Sequence, residues 1–69
     1  MNHRTVSWLP ELERTPNNEA LVQQAFEQQI PEGELVVPFA EGVVEGDRVT
    51  YDVWGFYSRS CVMLFVSPR

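Results

Sequence analysis

Apolar residues follow a helical rhythm once in this chain and a strand rhythm after it. Leu21, Val22, Ala25, Phe26 and Ile30 fall on one stripe, with Gln23, Gln24, Glu27 and Gln28 opposite. That is the pattern of a helix with one buried side. Thr15 followed by Pro16 supplies an N-cap and a first-turn proline, both favoured at helix starts. Glu19 puts a carboxylate near the positive end of the helix dipole. Pro31 stops the helix, because the residue before a proline is pushed out of the α region. The spacing therefore predicts a helix over residues 16–30 and a turn at Pro31-Glu32-Gly33.

Beyond Gly33 the period shortens to two. Residues 34–39 read as a first strand with Leu35, Val37 and Phe39 on one face. Pro38 lacks a donor for the ladder, so this strand is expected at an edge or with a bulge. Residues 43–49 read as a tight hairpin turning at Glu45-Gly46-Asp47, with Gly46 taking any positive φ. A strand over 48–56 follows, with Val49, Tyr51 and Val53 on one face and Thr50, Asp52 and Trp54 on the other. Gly55 is a candidate bulge that shifts this phase. The last strand, 60–67, is apolar on both faces: Cys61, Met63 and Phe65 alternate with Val62, Leu64 and Val66.

These elements predict an α+β fold, one N-terminal helix packed on a three- to four-stranded antiparallel sheet. The whole chain, 1–69, is expected to form a single domain, with residues 1–14 as an irregular lead-in. A short edge strand over 5–9 is the one regular element expected there. A single helix covers one face of a small sheet, so a strand apolar on both faces points to a second subunit or a partner over the other face.

Size sharpens that expectation. A chain this short buries only about 60% of its unfolded surface, and small folds usually add disulfides, a metal or oligomerisation. Cys61 is the single cysteine and His3 the single histidine, so neither an internal disulfide nor a Cys/His metal site is expected. No cofactor is expected, and a homodimer is. The N-terminal residues lack a long apolar stretch, and the longest apolar run is far too short to span a bilayer. The expectation is a soluble protein of the bacterial cytoplasm, where a lone thiol stays reduced.

The net charge of −5, ten carboxylates against five basic residues, argues against direct nucleic-acid or anionic-membrane binding. It suits a protein partner with a basic surface. Glu32, Glu34, Glu41, Glu45, Asp47 and Asp52 lie in a stretch with one basic residue, Arg48. Around a hairpin they are candidates for a negative ridge that imitates phosphates in a cationic groove. The alternative is a solvated surface that keeps a small domain dispersed.

Trp54, Phe56, Tyr57 and Arg59 form the second candidate set, because Trp, Tyr and Arg are enriched at interface hot spots. The alternative places Trp54 or Phe56 under the helix and Tyr57 over the sheet edge. Cys61 starts an apolar strand and reads as structural. Ser58 and Ser60 have no histidine in an ordered region to activate them. The phosphate-loop, calcium-loop and paired-cysteine motifs are missing from the sequence, so an enzyme is not expected.

In size, acidity and lack of catalytic motifs, the chain resembles the small phage-encoded inhibitors of bacterial defence and transcription machinery, including anti-CRISPR proteins. The resemblance implies a binding protein that blocks a host protein or a nucleic-acid-binding complex by mimicry. Glu32 to Asp52 would be the electrostatic part, and Trp54, Phe56, Tyr57 and Arg59 the anchors. Two other readings stand beside it. One is a structural or accessory subunit acting through the strand that begins at Cys61. The other is a small nucleic-acid-binding regulator, limited to five arginines for phosphate contact.

Overall fold

The structure, a computed structural model, describes residues 9–68. One helix, α1 (Pro16–Glu27), precedes three strands, β1 (Val37–Glu45), β2 (Arg48–Tyr57) and β3 (Val62–Pro68). The strands form an antiparallel meander in the order β1-β2-β3. The α+β expectation holds, with three strands and the helix packed on the sheet.

Helix α1 starts where its sequence directs. The Thr15 hydroxyl accepts the Asn18 amide at 3.0 Å, satisfying one orphan donor of the first turn. The helix ends at Glu27, earlier than the proline alone required. Gln28 is the C-cap, and the Gln29 N–H reaches back three residues to the Phe26 carbonyl at 2.9 Å. This tightened turn brings Ile30 back against the core. Of the expected stripe, Val22 and Phe26 are buried, while Leu21 is 56% exposed and Ala25 is also exposed. The helix meets the sheet along a line narrower than its apolar stripe.

The core lies between α1 and one face of the sheet. Val22 and Phe26 meet Trp54 and Phe56, with Leu12, Ile30, Val36, Cys61, Met63 and Phe65 packed around them. The sheet residues follow from register. Trp54 lies opposite Phe65 and Phe56 opposite Met63, and cross-strand partners project from the same face. Each large apolar side chain buried here contributes about 1.5–3 kcal/mol.

The expected first strand over 34–39 begins instead at Val37 and runs without a break into the hairpin arm ending at Glu45, so Leu35 lies outside it and shares no sheet face with Val37 and Phe39. Two further local features depart from the sequence pattern. Pairing along β2 is continuous through Gly55, so no bulge shifts the phase there. The irregularity lies at Val43/Val44, where Tyr51 pairs with Val43 but Val49 pairs with Val44, leaving Thr50 over. Thr50 donates its hydroxyl to the Val43 carbonyl at 3.2 Å. The bulge turns Val49 away from Tyr51 and Val53: its methyls lie 3.0 Å and 4.0 Å from where a Cβ on Gly42 would stand, on the Asp52 side. The β1–β2 turn takes two residues, Gly46 and Asp47, with positive φ at Gly46 alone, as in a type II′ hairpin.

The lead-in is more ordered than expected where it is described. Val66 donates to the Pro10 carbonyl and Leu12 to the Val66 carbonyl, both at 2.9 Å, forming a parallel bridge on the outer edge of β3. The edge strand expected over 5–9 lies outside the described residues, except Leu9, which is in no strand.

Candidate interaction face

The sheet has two apolar faces, and the described residues cover one. On the helix side stand Trp54, Phe56, Met63 and Phe65. By the same register the opposite face carries Val37, Phe39, Glu41 and Val43 from β1, Tyr51, Val53, Gly55 and Tyr57 from β2, and Val62, Leu64 and Val66 from β3. None of these joins the helix-side cluster. Val62 is 64% exposed and Tyr57 41%. Phe39 and Tyr57 meet edge-on at 6.5 Å between ring centroids, so the face is packed within its own surface.

Gly55 sits in the middle strand of this face, between Phe39 and Leu64. Its φ is +154°, and a Cβ there would lie 2.0 Å from the Met63 carbonyl oxygen. The β3 backbone therefore comes too close for any side chain. That close approach, and not a phase shift, is the reason for glycine.

The candidate aromatic anchors divide between the two sides. Trp54 is 1% exposed and Phe56 7%. Trp54 donates its indole Nε1–H to the Leu12 carbonyl at 2.9 Å and lies 5.4 Å from the Phe65 ring. Phe56 lies 6.2 Å from Phe26. As a correction to the surface role expected for them, both are core residues, because the period-two alternation of β2 turns them beneath α1. Tyr57 and Arg59 remain exposed. With Gly33, Glu34, Leu35, Val37 and Ser58 they line a shallow hollow of about 430 Å³. Leu35 is 78% exposed beside it.

The carboxylates do not gather into one ridge. Strand β2 runs ten residues, about 33 Å at ~3.3 Å per residue, and the acids are distributed along that length. Glu32 and Glu34 lie at the end holding the β2–β3 turn, and Glu45 and Asp47 at the opposite end, Glu45 closing β1 and Asp47 in the β1–β2 turn. Glu41 stands between them, opposite Val53, and Asp52 opposite Gly42 and Ser67. Glu45 faces Arg48 across the hairpin.

Glu34 is committed to holding a turn. Its Oε1 accepts the hydroxyls of Ser58 and Ser60, each at 2.6 Å, and the Ser60 amide at 3.3 Å. These hydrogen bonds, Ser58 first, hold its carboxyl below the usual glutamate range, with a smaller contribution from the Arg59 charge. Ser58 and Ser60 are thereby donors to a structural carboxylate.

A second cleft, about 400 Å³, opens between the start of α1 and β1, with Pro38, Trp54 and Phe56 among its walls. The Arg14–Glu19 ion pair, Nε to Oε2 at 2.5 Å, borders it. Among the described residues no group of three or more Cys, His, Asp or Glu side chains is placed to hold a metal ion, and no helix is long and apolar enough to cross a membrane. No family model, curated protein or solved structure matches the chain.

The sequence pattern marks β3 as two-faced, and the strand register extends that uncovered surface across all three strands. The signal was present in Val37 and Phe39, Tyr51 and Val53, and Val62 and Leu64, apolar pairs at spacing two. Which parity the helix would cover was the missing information.

Proposed function

We propose that the chain is a small accessory subunit that acts by docking through the helix-free face of its sheet, in the reducing cytoplasm of a bacterial cell. The observation that supports this is the continuous apolar surface formed by Phe39, Val53, Tyr57, Val62 and Leu64, opposite the face that α1 covers. The whole face, from the Val43–Tyr51 row to the Val37–Tyr57 row with Glu41 inside it, measures roughly 14 Å across three strands and about 23 Å along them, on the order of 320 Å² in projection. The largest apolar patch of a small protein is of about this size and is often its functional surface.

The blocking-inhibitor reading retains one supporting observation. Glu45, the last residue of β1, and Asp47, in the turn that follows, are both exposed at the hairpin tip, a pair of carboxylates beside Arg48 that could meet a basic protein surface. The separation of the other acids and the commitment of Glu34 leave that tip as its electrostatic contact.

Tagged chain incubated with bacterial lysate at low and high salt separates the two. The docking reading expects a stoichiometric association that persists at high salt, is lost in Val62→Lys, and survives the pair Glu45→Lys and Asp47→Lys. An association lost at high salt and abolished by the hairpin pair, but indifferent to Val62→Lys, would overturn docking in favour of the acidic tip.

A further inference from the structure

We infer that the occupant of the helix-free sheet face is a second copy of this chain, packed sheet on sheet about a two-fold axis. This rests on the docking reading and names its partner.

Charge is the first argument. The chain carries −5 overall, yet over the part of the face spanned by all three strands Glu41 is the one carboxylate, and no arginine stands there. Glu41 stands opposite Val53, and a contact centred on the row Phe39, Gly55 and Leu64 places Glu41 at its border, where the carboxylate reaches water. An isologous interface sets a surface against itself. An acidic surface would repel its copy, whereas this one meets its copy without opposing carboxylates at its centre. A basic partner would find its complementary charges at the two ends of the sheet and little on the face.

Core size is the second argument. Among the described residues the buried apolar set is Val22, Phe26, Trp54 and Phe56, small even for a domain of this length. Stacking two sheets about 10 Å apart closes a second core between Phe39, Val53 and Leu64 of each copy. The chain's own residues 1–8 offer three large apolar side chains, Met1, Val6 and Trp8, against a face three strands wide. Two such faces bury roughly 640 Å² in projection, below the ~1,200 Å² at which stable specific interfaces begin, so the dimer is a weak one whose population depends on concentration.

Sedimentation equilibrium on the purified full chain, from about 5 μM to about 500 μM, tests the inference. The expected result is a mass rising from the 8.0 kDa of one chain to twice that value, with little salt dependence. Val62→Lys is the first variant, because its side chain is already largely exposed and its loss spares the helix-side core. It should weaken self-association about tenfold or more, since a charge replaces a side chain buried in the dimer. Glu45→Lys with Asp47→Lys should leave the dimer intact. Isotope-filtered NOEs in a mixed-label sample should connect Leu64 methyls of one copy with Phe39 or Val53 of the other.

Wild-type monomer throughout the range overturns the second copy. Docking itself still stands in that case if Val62→Lys abolishes capture of another protein. A dimer that persists in both Val62→Lys and Leu64→Lys, with circular dichroism unchanged, overturns this face as the contact. A monomer showing intramolecular NOEs from residues 1–8 to Leu64 would assign the cover to the lead-in and also overturn the inference.

Discussion

Trp54 donates its indole N–H to the Leu12 carbonyl at 2.9 Å, joining positions 42 residues apart. The bond ties the N-terminal lead-in to the middle strand, while Leu12 also donates its own N–H to Val66 on β3. One buried ring thus fastens the lead-in, the helix and the sheet into one core. Trp54→Ala should destabilise by about 3–5 kcal/mol through lost contact and the cavity left behind. Trp54→Phe keeps most of the ring but strands the Leu12 carbonyl, at a cost of about 1–3 kcal/mol. Urea denaturation at one fixed protein concentration measures both. Near-wild-type stability in Trp54→Ala would remove it from the core.

Gly55 and Gly46 both have positive φ, but their surroundings differ. At Gly46 a Cβ meets nothing within 4 Å, so Gly46→Ala should cost only the backbone term, about 1–2 kcal/mol. At Gly55 the Cβ collides with the rigid β3 backbone. Gly55→Ala should cost clearly more than Gly46→Ala, and on so small a domain it should abolish the cooperative unfolding transition. Thermal melts of the two variants side by side give the comparison, and equal melting temperatures would contradict the close approach at Gly55.

Glu34 gives the stability a pH dependence of known sign. Its folded carboxyl titrates below its unfolded one, because Ser58 and Ser60 donate to the charged form. Its contribution is therefore fully present above the ordinary glutamate pKa and is lost as pH falls through the lowered folded value. Glu34→Gln should melt below wild type at neutral pH, and the gap should narrow as acid protonates the wild-type carboxyl. A gap that stays constant down to the acid limit would mean that the charge on Glu34 contributes nothing to the turn.

Thr15 caps α1 through its hydroxyl. Thr15→Ala should lose about 1 kcal/mol, and Thr15→Ser should retain most of it. Chemical denaturation followed by far-ultraviolet circular dichroism checks both. Equal losses in the two variants would show that the methyl group, and not the hydroxyl, supports the helix start.

Much of this was legible in the chain. Thr15 and Pro16 fixed the helix start, Gly46 marked the hairpin turn, and alternation from Tyr51 to Trp54 marked β2. These are local effects: capping, permitted φ and side-chain period act within a few residues. The bulge at Val43/Val44 was not legible, because it arises from register between two strands whose residues fit a regular ladder equally well. The fate of the aromatic anchors also escaped a local reading. Trp54 and Phe56 share a parity with each other and Tyr57 does not, but sequence does not say which parity receives the helix.

The sequence by itself determined the elements, their order and the excess of apolar faces over helices to cover them, because periodicity and turn chemistry are written residue by residue. Tertiary structure alone decided that α1 covers the Trp54 and Phe56 side, that the acids are spread along the sheet and not gathered into one ridge, and that Glu34 holds a turn. Those outcomes depend on distances between residues far apart in the chain, which are set only when the strands pair and the helix chooses one face.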